Sequence, residues 1–432
     1  MSFRFAAAVV ALALAGTSGA QPALTPAERQ LNVDSFEQVW KTVRDKHWDP
    51  KLNGVDWQAV HDELRPKIEK AATMDEARAV MSDMVRRLKQ THFGIVASEA
   101  YKELDQEDYD GKATPLDGDP GLALRIVDGH ALVTFVTPDS PAAANGVRPG
   151  WEILCIAGKD LAPALAKVRE ATGSPMLDEL VETRSVLARL EGPIEKTVEV
   201  EFLDGDGRKV TLKMARTGPR GAETVVGTLP PLHFWVDARK IHQDIGYVQF
   251  NMFFEPEAVN AAVQKIMNEC RDCKGFVVDL RGNPGGVGGM AMGLAGWFTS
   301  QSGLRLGAMY LRTTSVKFAV FPRAAPFRGP LAILVDGCTA STSEIFAGGM
   351  QDLKRARIFG THTAGAALPS LFEKLPNGDG FQYAIANYIS EGGKPLEGIG
   401  VTPDEQVKLT RRQLLAGQDP VLDAAVSWIH RQ

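Results

Sequence analysis

Between about residues 30 and 96 the apolar positions recur with helical spacing. Phe36, Val39, Trp40 and Val43 share one face, and Ala77, Val80, Met81, Met84, Val85 and Leu88 form a second stripe. Ser35 followed by Gln38, and Thr73 followed by Glu76, have the spacing of capping boxes and predict helix starts. The second helix runs out near Gln90 to Gly94, which places Thr91-His92 at its C-terminal end. Strand-type sequence then runs through Gly121 to Ile126 and Ala131 to Val136, followed by a short Ala-rich helix from Ser140 to Val147 and a strand at Trp151 to Leu154. Asp160 to Arg189 is helical in pattern. Lys196 to Phe202 and Arg208 to Ala215 make a hairpin through Asp204-Gly205-Asp206-Gly207.

From about residue 240 strands and helices alternate. The strand candidates are Ile245 to Phe250, Gly275 to Leu280, Pro330 to Val335, Ala356 to Gly360 and Phe381 to Ile389. The helix candidates are Glu255 to Asn268, Met290 to Thr299, Ser343 to Lys354 and Arg411 to Ile429. This alternation predicts an α/β fold class for the core.

The chain has 432 residues, enough for two or three domains. With 44% apolar and 23% charged residues it has the composition of a globular protein. A formal charge of −5 with no basic stripe argues against nucleic acid as a partner. Met1 to Arg4 is a short basic start, Phe5 to Ala15 an apolar run, and Ser18-Gly19-Ala20 a set of small residues. That order predicts a signal peptide over 1–20, an exported protein in the periplasm or beyond, and no membrane span. The pair Cys270 and Cys273 permits a local disulfide, but no second pair completes a metal site.

Two segments carry the chemistry. Asp279-Leu280-Arg281-Gly282-Asn283-Pro284-Gly285-Gly286 and Thr339-Ala340-Ser341-Thr342-Ser343-Glu344 each follow an apolar strand and lead into a helix. Neighbouring strands with such ends can share one site, where N–H groups of a glycine loop and a helix start hold an oxyanion beside a serine. Ser341 could instead cap its helix, and Ser343 is a second candidate nucleophile. A phosphate loop is not indicated, because the Gly285 to Gly289 run lacks the lysine and hydroxyl that nucleotide phosphates need.

These segments, with Glu397-Gly398-Ile399-Gly400-Val401-Thr402-Pro403-Asp404, resemble the tail-specific or C-terminal-processing S41 serine peptidases. The resemblance covers nearly the whole mature chain. It implies a signal peptide at 1–20, a helical subdomain at 21–110, a PDZ-like β unit at 115–216 with a helical insertion, an α/β, crotonase-like peptidase core at 236–410, and a C-terminal helix at 411–432. Gly121-Leu122-Ala123-Leu124 matches the carboxylate-binding loop of bacterial-protease PDZ domains, which take an extended peptide on a sheet edge.

The best-known branch pairs its serine, here Ser341, with a lysine. That lysine aligns with Ala366, which cannot accept a proton, so the dyad is excluded. The chain is more similar to the tricorn protease core, whose histidine comes from the helical region. The resemblance implies Ser341 as nucleophile, His92 as general base, Thr91 and Glu397 as orienting groups, and the Gly286 and Thr342 N–H groups as oxyanion hole. His362, close to the absent lysine's place, is the rival base, and Glu397 could instead fix a turn. Protein or peptide substrates are implied, with no metal or organic cofactor. The alternatives are a non-catalytic peptide- or ligand-binding homologue and an esterase-like hydrolase.

Overall fold

The computed structural model describes residues 23–97, 118–172, 174–225 and 231–432. The leader at 1–20 and the acidic linker from Glu103 to Pro115 lie outside the described residues. Among the described residues no helix is long and apolar enough to cross a membrane.

The core is a six-stranded sheet in the order Val236–Ile241, Ile245–Phe250, Gly275–Asp279, Leu331–Val335, Arg357–Gly360 and Glu405–Gln406. Only the first pair is antiparallel. Gly275–Asp279 and Leu331–Val335 are buried at every position, as expected of parallel strands covered on both faces. Alternate residues serve different layers. Val278, Ile333 and Val335 pack with the helices Pro256–Glu269, Gly289–Ala295 and Thr342–Asp352. Val277, Ala332 and Leu334 pack with the helix Pro420–Ile429. Gly275–Asp279 and Leu331–Val335 are hydrogen-bonded neighbours, so the two chemistry-bearing loops leave the same end of the sheet side by side.

The N-terminal unit is helical, with helices Pro26–Lys46, Trp57–Lys70 and Met74–Arg86. Thr73 caps the third through the Glu76 N–H, as its spacing predicts. Ser35 does not start a helix. The first begins at Pro26, where Thr25 and Glu28 form the capping box, and Ser35 sits mid-helix with its hydroxyl donated to Leu31 O. Pro26 at the first helical position makes Thr25 the better start signal.

Three features dock this unit on the core. Gly94–Val96 adds a strand to Gly380–Ala384, itself paired with Ser370–Lys374. Phe36, Leu64, Met81 and Met84 share one apolar cluster with Phe381 and Tyr383. Arg78 forks onto the fully buried Asp379 at 2.8–3.2 Å. The run from Phe381 to Ile389 is accordingly two strands, because Ile385 turns the chain from this sheet into Ala386–Ser390, which pairs with Arg305–Leu311.

The β unit orders its strands Leu122–Val127, His130–Val136, Glu152–Ile156, Thr197–Leu203 and Lys209–Ala215 around its own apolar cluster. Helices Leu161–Thr172 and Pro175–Leu190 form the insertion. The C-terminal helix is interrupted. Arg411–Leu415 ends before Gly417, whose φ of +69° closes the first segment, and Pro420 restarts helix under an Asp419 cap. Cys270 and Cys273 are joined as a disulfide.

Asp379→Ala removes the carboxylate that holds Arg78, a buried pair whose breakage typically costs about 3–5 kcal/mol. We expect a lower urea midpoint for the full chain, and a preserved midpoint would show that the cluster around Phe381 docks the helical unit alone.

Candidate active site

The chain crosses from Leu331–Val335 to the helix Thr342–Asp352 through a turn that holds Ser341 at φ 56° and ψ −120°. This is a strained conformation for a residue with a side chain, and strain of this kind gathers at functional sites. Two contacts impose it. Ser341 N–H donates to Ala366 O at 2.8 Å and to Glu344 Oε2 at 2.9 Å. Gly285 presses on the other side, where an added Cβ would stand 2.8 Å from both Ser341 Cβ and Thr342 N. With a φ of +97° as well, only glycine fits there.

The hydroxyls around the turn have separate fates. Ser343 Oγ donates to Asn283 within the glycine loop, and Thr339 Oγ1 to Leu280 O. Both are structural ties, which removes Ser343 as a nucleophile. Thr342 Oγ1 donates to Gly286 O at 2.8 Å, holding the loop against the helix start. Among the described residues the Gly286 and Thr342 N–H groups donate to no acceptor, so two free donors lie beside Ser341 at the positive end of a helix.

Glu344 was legible in the sequence only as the fourth residue of a Ser-x-x-Glu spacing. It is fully buried and accepts from Thr363 Oγ1 at 2.5 Å and from the N–H groups of Gly365, Ala366 and Ser341 at 2.8–3.0 Å. Burial pushes its carboxyl up to about 7 against those four donors. The loop from Thr363 to Ala367 is thus drawn onto the turn at Ser341, with Ala366 O accepting from Ser341 N–H.

The next residue of that loop opens a path to the helical unit. Ala367 N–H donates to Glu397 Oε2 at 3.1 Å. Glu397 also accepts from Thr91 N–H and Thr91 Oγ1, each at 2.8 Å, and Thr91 Oγ1 lies 2.7 Å from His92 Nδ1. Residues 306 positions apart in sequence are therefore in direct contact. Thr91 has one hydroxyl proton, and it goes to Glu397, so Thr91 must accept from His92 Nδ1–H. His92 Nε2 is then the bare, basic nitrogen, and it is buried without any hydrogen-bond partner. Ser341 Oγ–H does not donate to Nε2 here.

His92 lies in the connection after Met74–Arg86 rather than on the helix end, with a φ of +60° two residues before Gly94–Val96. Its burial lowers the imidazole to about 4, and burial also raises Glu397, opposed by the bonds from Thr91 and Ala367. His362 is half-buried and joined through Nδ1 to Thr363 O.

Gly121 to Leu124 open the edge strand of the β unit, away from these groups. Leu122 and Leu124 point into its core, and Gly121 N–H is taken by Asp119. Arg125, one residue on, crosses to Asp336 at 2.7 Å, and Asp336 in turn accepts from Gly282 N–H and Cys338 N–H.

A strained serine at a helix start and free amides beside it on the α/β core, joined by hydrogen bonds to a buried histidine of the helical unit, are the features of a serine hydrolase. Residues 244–407 match peptidase family S41, and residues 32–86 match the tricorn protease C1 domain. A carboxyl-terminal-processing protease of Synechocystis sp. is 27% identical over 86% of this chain and 80% of its own length. A putative tricorn protease homolog 2 of Streptomyces coelicolor is 24% identical over 91% of this chain and 32% of its own. The solved photosystem II D1 C-terminal processing protease has the same fold, with a TM-score of 0.58 at 21% identity over 92% of this chain and 99% of its own. Residues 244–407 form a peptidase family S41 domain, and the chain is a serine peptidase.

The lowered imidazole has a linkage consequence. The unfolded chain binds a proton at His92 near the ordinary 6.5 and the folded chain only near 4, so this residue destabilises the fold as pH drops through that window. A shift of that size corresponds to about 3 kcal/mol. We expect His92→Gln to gain stability relative to the wild type between pH 6.5 and 4 in urea titrations, while a pH-independent difference would place the ring in contact with water.

Proposed function

We propose that the chain is an exported endopeptidase that cleaves protein segments through Ser341, with His92 as general base and then general acid. What carries this reading is the unbroken hydrogen-bond path from Ser341 N–H through Ala366, Ala367, Glu397 and Thr91 to His92 Nδ1. It fixes the tautomer that leaves Nε2 basic and links the base to the nucleophile's turn.

As Ser341 Oγ attacks the peptide carbonyl carbon, its proton passes to His92 Nε2. The carbonyl oxygen becomes an oxyanion, taken by Gly286 N–H and Thr342 N–H. The imidazolium donates from Nδ1 to Thr91, whose hydroxyl rests on the Glu397 carboxylate, so the new positive charge is met through one intervening group. Nε2–H then protonates the departing amine, and water releases the acyl group by the same steps in reverse roles. The Nε2–Oγ contact tightens when substrate enters, as catalytic hydrogen bonds often do. Thr91 and Glu397 are positioning residues.

The β unit is read as PDZ-like, capturing or gating substrate. Its edge strand Leu122–Val127, tied through Arg125 to the loops around Ser341, is where an added peptide strand would pair. Export rests on the basic and apolar leader at 1–20.

A fluorophosphonate probe with peptide kinetics tests the assignment. Ser341→Ala and His92→Ala are each expected to lose labelling and to lower kcat by roughly 10⁴–10⁶-fold, whereas His362→Ala stays labelled. Thr91→Val should cost on the order of 10²-fold through a misplaced ring, and Thr91→Ser should restore the rate. Labelling that survives His92→Ala and vanishes in His362→Ala would move the base to His362. A wild type that resists the probe would favour a binding protein, and one that hydrolyses only esters would favour an esterase.

A further inference from the structure

Beside the glycine loop lies an apolar cavity of about 260 Å³, walled by Phe253, Val259, Val287, Met290 and Leu294. Its rim is continuous with the candidate oxyanion loop. Phe253 N–H donates to Gly285 O at 2.7 Å, and Val287 N–H donates to Phe253 O at 2.8 Å. Val287 directly follows Gly286, so the rim lies one residue from a free amide.

Two glycines keep the cavity empty. Gly289 and Gly293 stand one helical turn apart on the helix Gly289–Ala295 and both line the space. An added Cβ at Gly293 would meet nothing within 4 Å, and one at Gly289 only Met292 Cε at 3.9 Å. The fold therefore does not need glycine at either place for close packing, in contrast to Gly285 and Gly286, where a Cβ would strike the backbone.

We propose that this cavity receives the side chain of the substrate residue on the acyl side of the scissile bond, and that it selects aliphatic and aromatic side chains. The inference rests on the Ser341 reading above and adds a specificity to it. The argument is covalent. If the scissile carbonyl oxygen sits about 2.9 Å from Gly286 N, the Cβ of the residue that owns that carbonyl is three bonds away from that oxygen. That side chain must leave the site beside the oxyanion hole, next to Val287, the residue after Gly286 and part of the cavity wall. The volume exceeds the roughly 150 Å³ that accommodates benzene in an apolar cavity, so a leucine or phenylalanine side chain fits. Asn260 is the one amide in the wall, and its Oδ1 is already held by Trp297 Nε1 and Arg323 Nη2. No wall residue carries a charge to pair with lysine or aspartate, and burying such a charge alone is costly.

The test uses the full chain and peptides differing only in the residue before the scissile bond (Ala, Leu, Phe, Lys or Asp), with cleavage positions mapped by mass spectrometry. The wild type is expected to favour Leu and Phe over Lys and Asp. Gly293→Leu fills the space from the helix and should lower the ratio of kcat/KM for Phe over Ala by about 10–100-fold. Met290→Ala enlarges it and should raise that ratio, which keeps the test open if the leucine variant misfolds. Variants that leave the ratio unmoved, or that change preference only on the leaving-group side, overturn the proposal while probe labelling of wild-type Ser341 still supports the mechanism. Absence of that labelling overturns both.

Discussion

Much of the site hangs on one buried carboxylate that no nearby cation neutralises. Glu397 gathers Thr91 N–H, Thr91 Oγ1 and Ala367 N–H, and these three donors oppose the burial that raises its carboxyl. Because two of the donors come from the helical unit and one from the core, satisfying the charge and joining the units are the same event. Without that junction the His92 tautomer would not be fixed, and the base proposed for Ser341 would have no link to its loop.

A second carboxylate works beside it by different means. Glu344 holds four donors, three of them backbone amides of the nucleophile turn and the adjoining loop. Its effect is on shape: it pins Ser341 at a φ of 56° and draws Ala366 against it. Ala366 packs into a small apolar cluster with Ala340, Ala364 and Cys338, so the loop holds the turn in place and the proposed base comes from a different part of the chain.

The sequence disclosed some of these features and hid others for identifiable reasons. Val277, Val278 and Ile333 lie in continuous apolar runs, and such runs declare parallel strands because both faces are covered. Ser341, Thr91, His92 and Glu397 could be named from motifs, since each motif is short and contiguous. The strand Ser370–Lys374 was not legible, because its apolar face is completed by helices some 300 residues earlier and Glu373 breaks the alternation that Leu371 begins, whereas its partner Gly380–Ala384 was read as part of the Phe381 to Ile389 run. Ser35 misled for a local reason: a hydroxyl three residues before a glutamine can equally bond back to Leu31 O within a helix. Glu344 and Gly285 were visible as letters, but their importance lies in what they touch.

In the mechanism proposed above, two requirements on His92 stand in opposition. Burial lowers the imidazole to about 4, which keeps it neutral and ready to accept a proton but makes the imidazolium expensive. The Thr91–Glu397 relay offsets that expense only once the proton has moved, since a neutral Nδ1–H bond to a hydroxyl becomes a charge-assisted one. Stabilisation that grows as charge develops favours the transition state over the ground state. The unpartnered Nε2 belongs to the same logic: a nitrogen bonded to water or a side chain at rest would have to surrender that bond before reaching the serine. Leaving it bare costs some stability in the resting fold, and the strained turn at Ser341 adds to that cost at the same place.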